Sequence, residues 1–318
     1  MKLSPKQQGH LIMLVVMTVF GLNIPINKYL YAHEMITPFG MTASRMAFAA
    51  AAFWLLSLTM PKEKVQKKDL LVLLIGGICG MLLNQSLFAY GLGQTSPVDA
   101  SIITTSSPLF AMIIAAIILG EPITFKKAGG VFLGGLGAII LVYTAHNVSS
   151  SQASSIQGDI AILSAQLFYS FYLVITRPLA DKYSSITMMK WMFLFAAIAI
   201  LPLWGKDMID SPVYHQTDWL PLAFMAFALF GATFFTYVMI PLAQRRIRPT
   251  TISMYNNLQP LIASIVAIAL MGEKFTIEKL IAAIFIFGGV YLVTTSKSKA
   301  DLEAEKQEST DSQIAENK

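Results

Sequence analysis

The sequence predicts an all-α polytopic membrane protein with ten transmembrane helices in two inverted five-helix repeats. Three observations predict it: ten apolar segments of spanning length, basic residues gathered in alternate loops, and an internal duplication at constant offset. The 318 residues are 55% hydrophobic and 13% charged, with a mean hydropathy of +0.61. Soluble domains carry roughly 25% charged residues. Half that fraction leaves too little polar surface for a water-exposed globule, so the lipid bilayer is the expected surrounding. The net charge of +5 is spread over short clusters between apolar segments, which fits membrane topology and excludes a nucleic-acid patch. The single cysteine, Cys79, excludes an intrachain disulfide and a cysteine metal cluster. The first apolar run is too long for a signal-peptide core and lacks a small-residue cleavage site, so no cleavable leader is expected.

A spanning helix needs about 20 mostly apolar residues. The first qualifying segment, 10–31, carries Asn23 and Asn27 one turn apart on one face, then Lys28. The second, 37–59, carries Arg45 about eight residues, or roughly 12 Å, from its start. The third, 70–92, carries Asn84 and Gln85; the fourth, 98–119, has Pro108 inside and Glu121 just beyond. The Gly-rich fifth is 127–145. The sixth, 159–177, aligns Gln166, Tyr169 and Ser170 on one face, with Tyr172 nearby. The seventh, 187–204, and eighth, 219–243, are aromatic and Met-rich, and the eighth carries Tyr237. The ninth, 249–271, packs Asn256, Asn257 and Gln259 before Pro260, with Glu273 just past its end; the tenth is 277–295. Polar residues 297–318 read as a disordered cytoplasmic tail.

With the N-terminus inside, cytoplasmic loops hold Lys2, Lys6, Lys62, Lys64, Lys67, Lys68, Lys126, Lys127, Lys182, Arg245, Arg246, Arg248, Lys297 and Lys299. The opposite loops hold Lys206, Lys274 and Lys279. The bias predicts both termini in the cytoplasm. One offset carries Ser101 onto Ser253, Pro108 onto Pro260, Gly120-Glu121 onto Gly272-Glu273, and Lys127 onto Lys279. A repeat at fixed offset marks duplicated architecture. The halves are 1–149 and 150–296, and an odd number of helices per half inverts the second.

These residues resemble the drug/metabolite transporter superfamily, in its ten-helix EamA branch. The likeness rests on "FGLNIPINKYL" from Phe20, "PFGMTASRMAFAAAAF" from Pro38 with Arg45, and the paired segments around Pro108 and Pro260, each followed by a Gly-rich helix. It covers roughly residues 10–296. The resemblance implies a central cavity open to each side in turn, in carriers of amino acids, other metabolites, drugs, sugar phosphates or nucleotide sugars. The sixth segment lacks the paired Asn residues of the first, so an asymmetric polar site is expected.

Polar groups deep in a bilayer face the bundle interior or a wet cavity. Asn23, Asn27, Asn84, Gln85, Gln166, Tyr169, Tyr237, Asn256, Asn257 and Gln259 are therefore the substrate-binding candidates. For each amide, interhelical hydrogen bonding is the structural alternative. Arg45, Pro108, Pro260, Glu121 and Glu273 are read as structural or gating residues. The prolines free backbone carbonyls or act as kinks; the glutamates accept from loop amides or cap helices. No Asp or Glu lies in the middle third of any segment, which argues against proton coupling through a buried acid. No zinc-binding His-Glu-x-x-His and no Gly-x-Ser-x-Gly motif occurs, which argues against an intramembrane enzyme. The expected function is transport of a small metabolite, with efflux of amino acids, related zwitterions or drugs ahead of sugar-phosphate or nucleotide-sugar carriage. No cofactor, metal or nucleic-acid partner is expected; the partners are the substrate and the bilayer, in the inner plasma membrane.

Overall fold

The computed structural model describes residues 3–94, 103–146, 156–259, 261–262, 265 and 277–297. Pro260, Glu273 and the tail beyond Lys297 lie outside the described residues, as does the side chain of Lys28. All regular structure among the described residues is helical. Helix α1 (Pro5–Ala32) starts in a capping box: Ser4 Oγ accepts from Gln7 N at 3.2 Å, and Gln7 Oε1 accepts from Ser4 N at 2.8 Å. Helix α2 (Pro38–Ser57) is capped by Thr37, whose hydroxyl accepts from Gly40 N and donates to Asp207. Helix α3 joins Lys67–Gly76, a π segment Gly77–Leu83 and Asn84–Gln94 end to end. Then follow α4 (Ser107–Leu119), α5 (Phe125–His146), α6 (Ile156–Lys182) and α7 (Ser185–Ile209). Helix α8 joins Trp219–Ala226, a π segment Phe227–Phe235 and Thr236–Gln244. Helix α9 begins as Pro249–Met254 and tightens to a 3₁₀ turn, Tyr255–Asn257; α10 is Ile277–Thr294.

Six of these, α1, α2, α3, α6, α7 and α8, are long and apolar enough to cross a membrane. Helix α4 covers the second half of the expected 98–119 span, and Ile103 and Thr104 before it are also helical. Its described part opens after a turn at Thr105 and Ser106, and Pro108 sits in its first turn. There the missing N–H is no loss, so Pro108 opens the helical stretch that follows the break at Thr105 and Ser106.

The helix termini collect at two ends of the bundle. At the end holding the start of α1, the α2–α3 loop clasps the α6–α7 turn. Glu63 accepts from Ser184 N at 3.0 Å and Ser184 Oγ at 2.9 Å, and Asp69 accepts from Tyr183 OH at 2.8 Å. Arg245, at the end of α8, donates to the carbonyls of Ala180 and Tyr183 in the same turn. At the opposite end, the α7–α8 connection ties to α2, with Tyr214 OH donating to Ser44 Oγ at 2.8 Å.

Between the ends, α5 packs along α10 and α2 along α7; α3 packs on α6, as α1 packs on α8. Glycine permits the closest of these approaches. A Cβ on Gly289 of α10 would stand 2.6 Å from Gly130 O and Gly134 N of α5, and one on Gly130 would stand 2.8 Å from Gly289 O. These are backbone contacts, so no side chain can move aside. Close approach through small residues is how helices associate where lipid removes the hydrophobic drive. Gly77 and Gly80 do the same for the π segment of α3: added Cβ atoms would stand 2.5 Å from Met192 O and 2.4 Å from Tyr172 Cγ.

Gly289→Val should therefore cost at least the about 1–3 kcal/mol of an overpacked core, read as a lower unfolding midpoint in detergent. Gly135→Ala, where an added Cβ meets nothing within 4 Å, should stay within about 0.5 kcal/mol of the parent. A second expectation concerns pH. Burial pushes the Glu63 carboxyl up, but hydrogen bonds from Thr187 and Ser184 and the nearby Arg245 outweigh it, holding the group below its ordinary 4.5. A depressed carboxyl contributes stability above its unfolded value and loses it as pH falls through the folded value. Thermal midpoints of Glu63→Gln should accordingly fall less than the parent's between pH 5 and pH 3; parallel curves would refute the clasp.

Candidate functional site

A cavity of about 170 Å³ lies between α1, α2, α3, α6, α8 and α9. It extends from mid-bundle toward the opposite end, where Tyr31, Met41, Thr42 and Leu92 line it from the last turns of α1 and α3 and the first turns of α2. Its wall is mainly apolar, with polar groups delivered as helical faces. Asn23, Asn27 and Tyr31 follow one another at four-residue steps along α1, so one face of that helix supplies all three. Thr42 and Arg45 do the same on α2, and Asn84, Phe88 and Leu92 on α3. Gln166 and Tyr169 enter from α6, Tyr237 from α8, Asn256 and Gln259 from α9.

Among the described residues, Arg45 is the only charged one lining this cavity. Its Nε donates to Thr233 Oγ1 at 2.7 Å and its Nη2 to Ala232 O at 2.9 Å, both in the π segment of α8. The reason is geometric. At the end of that segment Thr236 N bonds to Gly231 O, five residues back. Return to ordinary four-residue pairing then skips a carbonyl, and the skipped one is Ala232 O. It receives Arg45 and Thr236 Oγ1, the latter at 3.0 Å. The Thr233 hydroxyl, in turn, donates to Ala228 O at 2.7 Å. A π segment thus makes the acceptor that holds a cation at membrane depth. The guanidinium carries five N–H donors, and these two bonds leave the remainder for the cavity.

The amides divide by their partners. Gln85 Nε2 donates to Tyr237 OH at 3.0 Å, and Asn84 Nδ2 to Ala165 O at 2.9 Å. Asn256 Nδ2 donates to Ser107 Oγ at 3.2 Å. That serine is the centre of a buried knot joining α4, α6 and α9: it lies 2.7 Å from Ser253 Oγ, and Ser170 Oγ donates to its carbonyl at 2.9 Å. Gln259 Nε2 meets Met17 Sδ at 3.6 Å. Asn23 Oδ1, Asn27 Oδ1, Gln85 Oε1 and Tyr169 OH are buried with no partner among the described residues. Buried polar atoms in a cavity wall without a protein partner are free to bond water or a ligand.

Three candidates stand elsewhere. Asn257 turns from the cavity toward α5, where its Nδ2 lies 3.2 Å from the position of a Cβ on Gly134. Pro108 opens α4 behind the serine knot. Glu121 pairs with the fully buried Lys127 at 2.6 Å. The expected capping of the next helix falls instead to Thr124, whose hydroxyl accepts from Lys127 N at 3.1 Å. Sequence reasoning missed Tyr31, Thr42 and Thr233. Four-residue spacing from Asn27 marks Tyr31, and three-residue spacing before Arg45 marks Thr42; Thr233 had no comparable signal. Among the described residues, no three His, Cys, Asp or Glu side chains gather as metal ligands.

Comparison with known proteins places this geometry. The EamA-like transporter family model matches the chain twice, over residues 7–143 and 156–295. The uncharacterized transporter YyaM of Bacillus subtilis is 25% identical, over 88% of this chain and 91% of its own. A probable terminal-alkyne amino-acid exporter of Streptantibioticus cattleyicolor is 23% identical, over 80% and 83%. A solved crystal structure superposes with a TM-score of 0.71 at 18% identity, covering 92% of this chain and 99% of its own, which extends the likeness to the fold. The helices, the internal cavity and the double match agree: the chain belongs to the EamA-like transporter family.

Proposed function

We propose that the chain exports small metabolites, namely amino acids or related zwitterions or drugs, by alternating access around the central cavity. The observation that carries this reading is the cavity's polar inventory: one guanidinium among amides and hydroxyls, in a small and mainly apolar space. A guanidinium pairs well with a single carboxylate. The unpartnered oxygens of Asn23 and Asn27 suit an ammonium on the same ligand. A doubly charged phosphate calls for several cations, so sugar-phosphate or nucleotide-sugar carriage is the alternative with less support. The exporter name of the Streptantibioticus relative supports the amino-acid class.

The same reading includes ten spans in two inverted repeats, 1–149 and 150–296, in the inner plasma membrane with both termini cytoplasmic. Two family-model matches support it. So does the packing: exchanging the halves turns the α1–α8 pair into the α6–α3 pair, and returns α2–α7 and α5–α10 to themselves. The offset that carries Ser101 onto Ser253 also carries Leu83 onto Phe235, the last residues of the two π segments. The cavity then faces the outside, while the Glu63, Asp69 and Arg245 clasp closes the cytoplasmic end, which is one half of an alternating cycle.

Reconstituted in liposomes, the protein should accelerate flux of a member of an amino-acid and metabolite panel. The paired variant Asn23→Ala and Asn27→Ala should raise the apparent KM of that substrate roughly tenfold, the loss of about 1.4 kcal/mol of hydrogen bonding to a charged ligand. Asn257→Ala, off the cavity, should leave KM unchanged. Equal effects of the two would move the site elsewhere. An imposed pH gradient should not drive uptake, since no carboxylate lines the cavity among the described residues; accumulation that follows the gradient would establish proton coupling and defeat that expectation.

A further inference from the structure

A second cavity, of about 210 Å³, lies at the clasped end, apart from the first. It is walled by Lys6 and His10 of α1, Arg246 and Arg248 of the α8–α9 connection, Thr251 of α9 and Thr294 of α10. Among the described residues none of its cations pairs with a carboxylate; Lys127–Glu121, Arg177–Asp181 and Lys182–Asp69 pair elsewhere. The hydrogen bonds of its cations go to neutral acceptors. Lys6 Nζ donates to Thr294 O at 3.1 Å. Arg246 donates to Gln8 Oε1 at 3.3 Å and Leu242 O at 2.6 Å. Arg248 donates to Val293 O at 2.8 Å, Ser296 O and Ser296 Oγ at 3.0 Å, and Lys297 O at 3.3 Å.

Capping explains part of this. Most of these carbonyls end α8 and α10, and helix C-termini attract cations. The magnitudes separate capping from binding. Each helix end presents about half a negative charge, so two ends offset about one of the three permanent cations. Roughly two positive charges remain over an open space. Around them His10 Nε2 and Thr294 Oγ1 are buried without a partner, while His10 Nδ1 is held by Tyr255 OH at 2.8 Å. Two guanidinium groups, an ammonium and hydroxyl donors about a residual charge near +2 match a phosphate group, which carries about −1.5 to −2.

We propose that this pocket is a second, phosphate-binding site, filled by the phosphate of an anionic lipid headgroup or of a small soluble molecule. Its walls belong to the helices that line the transport cavity: α1 also carries Asn23 and Asn27, and α9 carries Asn256 and Gln259. A bound phosphate therefore holds the ends of both helices. Basic pockets between membrane helices recognise lipid phosphates in this way.

The test uses the full-length protein in detergent. Its thermal midpoint is measured with inorganic phosphate against chloride at matched ionic strength. Retention of phosphatidylglycerol against phosphatidylcholine is measured by native mass spectrometry. A phosphate-specific rise identifies a soluble ligand; retention of phosphatidylglycerol without that rise identifies the lipid; either supports the site. The double variant Lys6→Gln and Arg246→Gln should weaken the response at least tenfold. Arg246→Gln alone, which gives up only bonds to Gln8 and Leu242, serves if the double variant does not fold. Equal midpoints in phosphate and chloride with no preference between the lipids would overturn the proposal, as would a variant that keeps the full response.

Discussion

A cation held in an apolar bundle by a carbonyl that helix geometry sets free is the contact on which the site depends. An arginine at the centre of a membrane helix costs about 2.5–3.5 kcal/mol on insertion scales. Among the described residues that cost is offset without a carboxylate. The π segment of α8 exposes Ala232 O, Thr233 adds a hydroxyl, and Arg45 binds both. A buried carboxylate in that place would have neutralised the guanidinium and removed its attraction for an anion. Neutral acceptors satisfy its hydrogen bonds and leave its charge. The contact also joins α2 to α8, so the same side chain positions two walls of the cavity.

The two ends of the bundle follow a different rule. Away from the cavity, polar side chains satisfy helix termini. Glu63 sits over the start of α7, Arg245 reaches the end of α6, and Arg248 reaches the end of α10. Backbone groups at helix ends lack partners within their own helix, and these side chains supply them. The apolar middle is joined by glycine contacts, such as Gly130 with Gly289, and by one polar knot of serines around Ser107. Within that frame the cavity wall carries four buried polar atoms without a partner among the described residues, Asn23 Oδ1, Asn27 Oδ1, Gln85 Oε1 and Tyr169 OH.

Much of this was legible in the sequence because membranes make patterns simple. Length and hydropathy located the long helices α1, α2, α3, α6, α7 and α8 to within a few residues, since no other structure satisfies a backbone in lipid. Nine of the ten proposed binding residues line one cavity, because an amide in an apolar helix has few other places to go. Asn257 is the exception. A run of adjacent amides on a helix must point in several directions, and the count alone does not say which points inward. The break at Thr105 and Ser106, just before Pro108, carries no Gly to mark it in an uninterrupted apolar stretch. The π segments were invisible for a related reason. They meet tertiary contacts, Tyr172 over Gly80 and Arg45 on Ala232, whereas sequence period reports only the average helix.

The π segment of α8 also makes orientation a matter of counting. A π segment differs from an α-helix by an extra residue in its turn, and one residue advances an α-helix by about 100°. The residues after Phe235 therefore face where they do because of that extra residue. Without it, Thr236–Gln244 would remain a sound apolar helix, but Tyr237 would swing away from Gln85 and Gln244 would leave Thr176 and Leu173 O. Hydropathy would not change, and insertion in the membrane would not change with it. In this protein the length of a helix, by a single residue, is as specific a determinant of the binding site as the identity of any side chain in it.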